Sequence, residues 1–209
     1  MNTASLSEMH EKHIWPQIQT MMLNDAYFKL MGYARELTGE FNGPISGLIE
    51  AGYITFQTAT IRRLCDGRRD VISLKRLLVE AKANDLVSND QLHDLSQRLD
   101  SCDCICELVN NYVAHTANPD RKKNVPDWNL QVGHLIEAQK TICEVAVIFD
   151  RDLLQRKNYV KLIPVPQSGN IMQDFRSWVP EGCIEKLWEF WHAHNKMVNA
   201  WIPSCVAPV

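Results

Sequence analysis

The segment that decides the fold is Ser88–His115, SNDQLHDLSQRLDSCDCICELVNNYVAH. Ser88 and Gln91 have the spacing of a capping box, in which the two side chains bond each other's backbone N–H groups at the start of a helix. Apolar residues then recur every three or four positions, as on one face of an α-helix. The pattern predicts a helix that runs to His115 and stops before Asn118-Pro119, since proline disfavours helical backbone in the residue before it.

The same start and stop signals predict further helices on both sides of this segment. Small polar residues or proline open them, and glycine ends two of them. The predicted helices run from Asn24 to Gly39, from Pro44 to Gly67, from Ser73 through Leu78, from Asp127 through Phe149, and from about Ile184 to Ile202. Long amphipathic helices joined by short turns indicate an all-α fold, specifically an antiparallel helical bundle.

The character of the sequence changes after about residue 155. Tyr159–Val165 is a short β-like run ended by proline and glycine, which predicts an extended connector or an edge strand. A tryptophan-rich final helix follows. We therefore predict a bundle of residues 1–155 and a C-terminal extension of residues 156–209 packed on the bundle or its dimer. The tryptophans are interpreted as self-packing, with a partner-binding face as the alternative.

Composition narrows the class of protein. The chain of 209 residues is 45% hydrophobic and 22% charged, with a net charge of −3, which is typical of a globular protein and excludes a uniformly basic nucleic-acid binder. Its seven cysteines are odd in number and scattered, so reduced thiols are expected. Neither a secretory signal nor a membrane-spanning apolar run is recognisable. We predict a cytoplasmic protein without membrane association.

Candidate metal ligands are sparse. Cys102 and Cys106 share a helix face and are expected to meet, whereas Cys104 points away. Paired Cys-x-x-Cys spacings of a zinc site are absent, so buried thiols are favoured over metal binding. His10 and His13 fall in an N-terminal segment with no expected anchor. With no nucleotide-binding glycine loop either, the prediction is no metal and no cofactor.

His115 is the candidate catalytic residue. It lies in the last turn of its predicted helix, four residues after Asn111 and therefore on the same face. The helix dipole there favours the imidazolium and suits a group that gives and takes a proton. The same position also suits a histidine that only caps the last carbonyls. Spacing alone favours the capping interpretation.

The order of three sequence segments favours the catalytic interpretation of His115 over the capping interpretation. A helix ending in Ile61-Arg62-Arg63-Leu64-Cys65-Asp66 precedes Ile72-Ser73-Leu74-Lys75-Arg76-Leu77-Leu78, and a helix closing in Asn110-Asn111-Tyr112-Val113-Ala114-His115 follows. Over roughly residues 45–150 this arrangement resembles the HEPN superfamily, in particular its abortive-infection, phage-defence subgroup. The resemblance implies a helical homodimer that pairs two Arg-x4-6-His motifs in one cleft. It further implies a metal-independent endoribonuclease of a defence or toxin–antitoxin system.

The sequence departs from that motif at the arginine. Positions 108–110, where arginine is expected, hold Leu108, Val109 and Asn110. The resemblance therefore implies weak or lost ribonuclease activity, with His115 as the acid or base, Asn110 and Asn111 orienting the RNA, and a second copy, RNA and an antitoxin protein as partners. A non-catalytic helical interaction module is the alternative. The candidate RNA-binding cations are Arg62, Arg63, Arg121, Lys122 and Lys123.

Overall fold

The computed structural model describes residues 3–39, 43–109, 132–155, 162, 176 and 179–201. All the regular secondary structure in these residues is helical, and no β-strand occurs among them. The prediction of an all-α protein is therefore confirmed. The antiparallel arrangement of the helices stays a prediction.

Eight α-helices are described, together with two short π-helical segments at His10–Ile14 and Phe149–Leu153. The α-helices are α1 (Thr3–Met9), α2 (Trp15–Thr38), α3 (Pro44–Cys65), α4 (Leu74–Ala83), α5 (Asn89–Asp100), α6 (Asp103–Leu108), α7 (Val132–Ile148) and α8 (Glu181–Asn199).

Local signals set several of these boundaries. The Ser73 hydroxyl accepts a hydrogen bond from the Arg76 N–H at 3.0 Å and begins α4. Ser88 and Gln91 form the predicted capping box at the start of α5, with distances of 3.1 and 3.0 Å. Gly39 follows α2 with a φ of +68°, a conformation that glycine adopts without steric cost. These three predicted boundaries are confirmed.

The predicted start at Asn24 is wrong, because Asn24 lies inside α2. Buried apolar residues continue at helical spacing upstream of it, at Ile14, Ile18 and Met21. The burial of this extended face stabilises the helix across a residue that otherwise favours an N-cap. A capping residue type therefore marks a helix start only where the apolar periodicity also begins.

The predicted continuous helix from Ser88 is interrupted after Asp100. The Ser101 hydroxyl donates to the Arg98 carbonyl at 2.6 Å, and the Cys102 N–H donates to the Leu99 carbonyl at 3.1 Å. A serine hydroxyl that bonds the backbone competes with the regular helical pattern, and here the chain turns before α6 begins. The predicted continuation to His115, the helix start at Asp127 and the connector Tyr159–Val165 lie outside the described residues, apart from a bend at the buried Leu162.

The chain divides into two compact units, each assembled from two segments. The first unit comprises Met1–Ile18 and Thr55–Asn158, and the second comprises Gln19–Ile54 and Tyr159–Val209. The second unit groups α8 with residues 19–38 of α2 and residues 44–54 of α3, whereas the sequence-based division separates residues 1–155 from 156–209. None of the described helices is long and apolar enough to cross a membrane.

Each unit has its own apolar core. Leu64, Leu78 and Leu99 are fully buried in the first unit, as are Ile142 and Phe149. In the second unit the buried residues include Met22, Leu30, Leu187 and Trp191. The Trp191 ring lies 5.6 Å from that of Tyr27, so this member of the tryptophan-rich helix packs inside its own unit.

Candidate functional site

Most of the predicted site residues fall in the segment between α6 and α7. Arg62 and Arg63 are described and occupy the last turn of α3, where Arg62 is half-buried and Arg63 is exposed. The predicted residues that lie outside the described part of the chain are Asn110, Asn111, His115, Arg121, Lys122 and Lys123. Their roles stay predictions. The structure describes the helices on either side of this segment, α6 and α7.

A thiol cluster joins the end of α3 to α6. We use this name for Cys65, Cys102 and Cys106. Cys65 is the last residue of α3 and is buried, Cys102 precedes α6 and is fully buried, and Cys106 lies within α6 and is half-buried. The Cys65 thiol is hydrogen-bonded to both others. Sequence reasoning paired Cys102 with Cys106 on one face but missed Cys65, which reaches them only through the tertiary fold.

The pKa values of the three thiols are shifted in opposite directions. The bonds to Cys102 and Cys106, together with burial, raise the pKa of the Cys65 thiol well above its ordinary value. The hydrogen bond from Cys65 lowers the pKa of Cys102 and also that of Cys106. A hydrogen bond to the thiolate favours the charged form, so Cys102 and Cys106 lose their protons more readily than Cys65 does.

Arg62 acts electrostatically on this cluster. Its positive charge contributes to the lowered pKa of Cys106, after the larger contribution of the Cys65 hydrogen bond. The charge of Arg62 therefore acts on a residue of α6, the helix that precedes Val109 and the segment 110–115 in the sequence. Among the predicted cations, Arg62 is thus linked electrostatically to the helix that precedes the predicted motif.

A second polar cluster is buried in the second unit around Asp25, which is fully buried on α2. The Tyr53 hydroxyl donates to Asp25 Oδ1 at 2.6 Å, and Lys29 Nζ lies 2.7 Å from Oδ2. From α8, His194 Nε2 lies 3.6 Å from the same Oδ2. We call these four residues the Asp25 cluster. It joins α2, α3 and α8 through one carboxylate.

The charge balance at Asp25 favours the carboxylate. Burial alone raises the pKa of Asp25, but His194, Lys29 and Tyr53 together outweigh it and bring the pKa to about 2. A buried charge is tolerated only when it is paired and hydrogen-bonded, as it is here. Because this carboxylate ties α2, α3 and α8 together, we interpret the cluster as structural.

His10 is the third buried polar residue of note. It is 1% exposed, its Nδ1 lies 3.5 Å from Asp150 Oδ1, and its ring stacks on Phe149 with a centroid distance of 5.3 Å. The expectation that His10 lies in an unanchored segment is therefore wrong. Each of the two π-helical segments contributes to this contact, which a search for regular helical periodicity does not reveal.

Metal binding finds no support in the described part of the chain. No group of three or more histidine, cysteine, aspartate or glutamate side chains there has an arrangement able to hold a metal ion. The thiol cluster provides three sulfurs linked by hydrogen bonds, whereas a structural zinc site needs four ligands in a tetrahedral array. The three cysteines are free, so the reactivity of the cluster is that of free thiols.

Comparison with known proteins finds no family model, no curated protein and no solved structure that matches the chain. The HEPN resemblance therefore rests on the residues quoted above.

Proposed function

We propose that the protein is a HEPN-like homodimer of a bacterial defence or toxin–antitoxin system, acting on RNA in the cytoplasm without a metal ion. The order of the sequence segments supports the proposal, and the all-α fold is the one that the resemblance implies. The observation that carries it is the electrostatic effect of Arg62 on Cys106, a residue of the helix that precedes the 110–115 segment in the sequence. Arg62 then supplies the positive charge that the motif lacks.

The proposed reaction is transfer of the RNA phosphodiester to the neighbouring ribose 2′-oxygen. A base takes the proton from the 2′-hydroxyl, the 2′-oxygen attacks phosphorus, and an acid protonates the departing 5′-oxygen. His115 serves as acid or base, and Asn110 and Asn111 orient the RNA. Arg62 stabilises the additional negative charge on the phosphorane, because a guanidinium matches phosphate oxygens in pairs.

The remaining predicted cations have a binding role in this proposal. Arg63 is exposed beside Arg62, and the sequence places Arg121, Lys122 and Lys123 shortly after His115. Cations on one surface contact RNA phosphates and add affinity that falls with salt concentration. An antitoxin protein that covers this surface would block the reaction.

The test is cleavage of a labelled RNA by the purified protein in the presence of a chelator. We expect cleavage by the wild type, none by His115→Ala, and a loss of about a hundredfold or more in Arg62→Ala, as for removal of one electrostatic donor. Arg98→Ala is the matched control, since Arg98 is another partly exposed arginine of the first unit and pairs only locally with Asp94 at 3.0 Å. We expect it to cleave like the wild type.

Three results would contradict the catalytic proposal. Equal cleavage by wild type and His115→Ala would remove His115 from the mechanism. Equal rates for Arg62→Ala and Arg98→Ala would mean that Arg62 is not the missing cation. Absence of cleavage by every folded variant, wild type included, would favour the second candidate.

The second candidate is a non-catalytic interaction module, favoured by an exposed apolar face on α3. We define this α3 face as Ile45, Leu48 and Gly52, which lie three and four residues apart on one side of the helix within the second unit. Ile45 is 66% exposed and Leu48 is 75% exposed, and nothing lies within 4 Å of a Cβ built at Gly52. Contiguous apolar surface of this kind is typical of protein interfaces.

The scarcity of charged side chains around the α3 face indicates that a second copy of this chain binds to it. Residues 44–61 contain one charged side chain, Glu50, and its carboxylate lies 2.8 Å from Arg35 of the same protomer. A two-fold interface brings the same patch of both subunits together, so a face without uncompensated charge can pair with itself. The same surface would provide the dimer of the catalytic proposal.

Sedimentation velocity tests the dimer. The wild type should sediment as a dimer and Leu48→Glu as a monomer, because two-fold symmetry brings two like charges into an apolar contact. Val79→Glu is the control, since Val79 is an apolar residue of α4 that is 42% exposed; it should remain dimeric. A monomeric wild type would refute the proposed use of the α3 face.

A further inference from the structure

The thiol cluster has the geometry of an oxidation site. Cys65 meets Cys102 and Cys106, so one sulfur has two neighbours within hydrogen-bonding contact. Cys102 is 0% exposed, whereas Cys106 is half-buried and therefore accessible from one side. Cys104, between them in the sequence, is exposed. The cluster thus combines one reachable thiol with a buried partner.

Only bonds to Cys65 are sterically suitable. The Cys106 N–H donates to the Cys102 carbonyl at 3.1 Å, so these two residues are separated by one helical turn. Residues so spaced have Cβ atoms about 5–6 Å apart, whereas a disulfide requires roughly 3.5–4.5 Å. Cys65 comes from another helix and has no such constraint. A disulfide in this cluster therefore includes Cys65.

We propose that Cys106 is oxidised by hydroperoxides and that Cys65 then closes a disulfide with it, linking α3 to α6. The Cys106 thiolate attacks one oxygen of hydrogen peroxide, forming a sulfenic acid and releasing hydroxide. The Cys65 sulfur then attacks the sulfenic sulfur; its thiol proton and the sulfenic hydroxyl leave as water. Two thiols are oxidised by two electrons in all, and the peroxide is reduced to two water molecules.

Reactivity separates Cys106 from the other cysteines. Thiolate character and access govern reaction with peroxide. In Cys106 the Cys65 hydrogen bond, and to a smaller extent the Arg62 charge, lower the pKa, and the thiol is only half-buried and therefore partly accessible. Cys102 lacks access, and partial burial raises the pKa of the exposed Cys104. Cys65 is held protonated and buried, which suits the partner that reacts second.

Peptide mapping identifies the bond. The full-length protein is treated with hydrogen peroxide, alkylated and digested with trypsin without reduction. Trypsin releases Cys65 in Leu64–Arg68, LCDGR, and all three α6-region cysteines in Leu99–Arg121. We expect these two peptides to appear linked, with a mass lower by two hydrogen atoms than their sum, and fragment ions should assign the bond to Cys106. The readout involves no RNA, so it is independent of the proposed function.

Variants complete the test. Cys106→Ser should lose the linked peptide, and Cys65→Ser should leave a sulfenic acid on Cys106 that dimedone traps. Cys104→Ser is the matched control from the same helix and should form the link like the wild type. Circular dichroism checks that each variant is folded. Absence of the linked peptide in peroxide-treated wild type would overturn the proposal, as would fragment ions that place the bond at Cys102 or Cys104.

Discussion

Replacing Tyr53 by phenylalanine removes one hydroxyl group from the Asp25 cluster and leaves the ring in place. The ring stacks on Phe28 at a centroid distance of 3.8 Å and an interplanar angle of 5°, so the substitution opens no large cavity. The lost interaction is a 2.6 Å hydrogen bond to a buried carboxylate. A bond to a charged group contributes about 1.5–3 kcal/mol to stability. We expect the free energy of unfolding to fall by that amount, and Tm by roughly 3–12 °C.

The pH dependence of this loss has a defined sign. The pKa of Asp25 is about 2 in the folded protein, below its ordinary value of 3.8, so the folded state favours the carboxylate. The difference corresponds to about 2 kcal/mol of stability, which is present above pH 3.8 and lost as the pH falls through about 2. Tyr53→Phe moves the folded pKa of Asp25 upward. The stability difference between wild type and variant should therefore shrink toward the acid end of this window.

Urea unfolding followed by circular dichroism, at neutral pH and at several acidic values, measures both effects. Tyr33→Phe is the control: Tyr33 is half-buried in the same unit, and its ring stacks on Phe190 at 4.8 Å. It should change the free energy of unfolding by no more than about 0.5 kcal/mol. If Tyr53→Phe at neutral pH is as mild as Tyr33→Phe, the reasoning about the buried carboxylate is refuted.

Five further substitutions, two of them for comparison, test local features of the fold by the same unfolding measurement. Ser88→Ala removes the capping box of α5 and should cost about 1 kcal/mol; an unchanged midpoint would contradict the role of the cap. Gly39→Ala should destabilise the protein by about 1 kcal/mol, because Gly39 has a positive φ. Gly32→Ala should stabilise it by a similar amount, because Gly32 lies inside α2 and open space surrounds the added methyl group. Leu78 is fully buried, so Leu78→Ala should lower the free energy of unfolding by about 2–5 kcal/mol. Leu48 is 75% exposed, so Leu48→Ala should be nearly neutral in protein diluted below its dimer dissociation constant. Equal losses for the two variants under this dilution would contradict the difference in burial.

Helix boundaries that depend on neighbouring residues could be predicted from the sequence. Ser73, Ser88 and Gly39 act through hydrogen bonds or dihedral angles within a few residues, and the same residues carry the signal in the sequence. Asn24 shows the limit of this approach, since burial along α2 outweighs its preference for a cap. Ser101 shows a second limit of predicting helix boundaries, because one side-chain hydrogen bond to the backbone decides where α5 ends.

Contacts between distant segments could not be predicted in the same way. Periodicity shows that a helix has an apolar face, but it does not specify the helix against which that face packs. Cys65 meeting Cys102 and Asp25 meeting His194 both depend on that choice. The proposed catalytic residues illustrate a different case, because the sequence provides the motif, its missing arginine and the candidate cations, and the described structure adds the electrostatic effect of Arg62 on Cys106.

The Asp25 cluster also fixes the register of the helices in the second unit. Apolar faces tolerate sliding, because one leucine packs against another nearly as well after a shift of one turn, about 5.4 Å along the axis. The carboxylate of Asp25 does not tolerate it, because such a shift would separate it from Tyr53 and His194 and leave a buried charge poorly paired. The cluster thus penalises misaligned packings more than it stabilises the native one, and its removal should produce a less unique arrangement of α2, α3 and α8 as well as a less stable one.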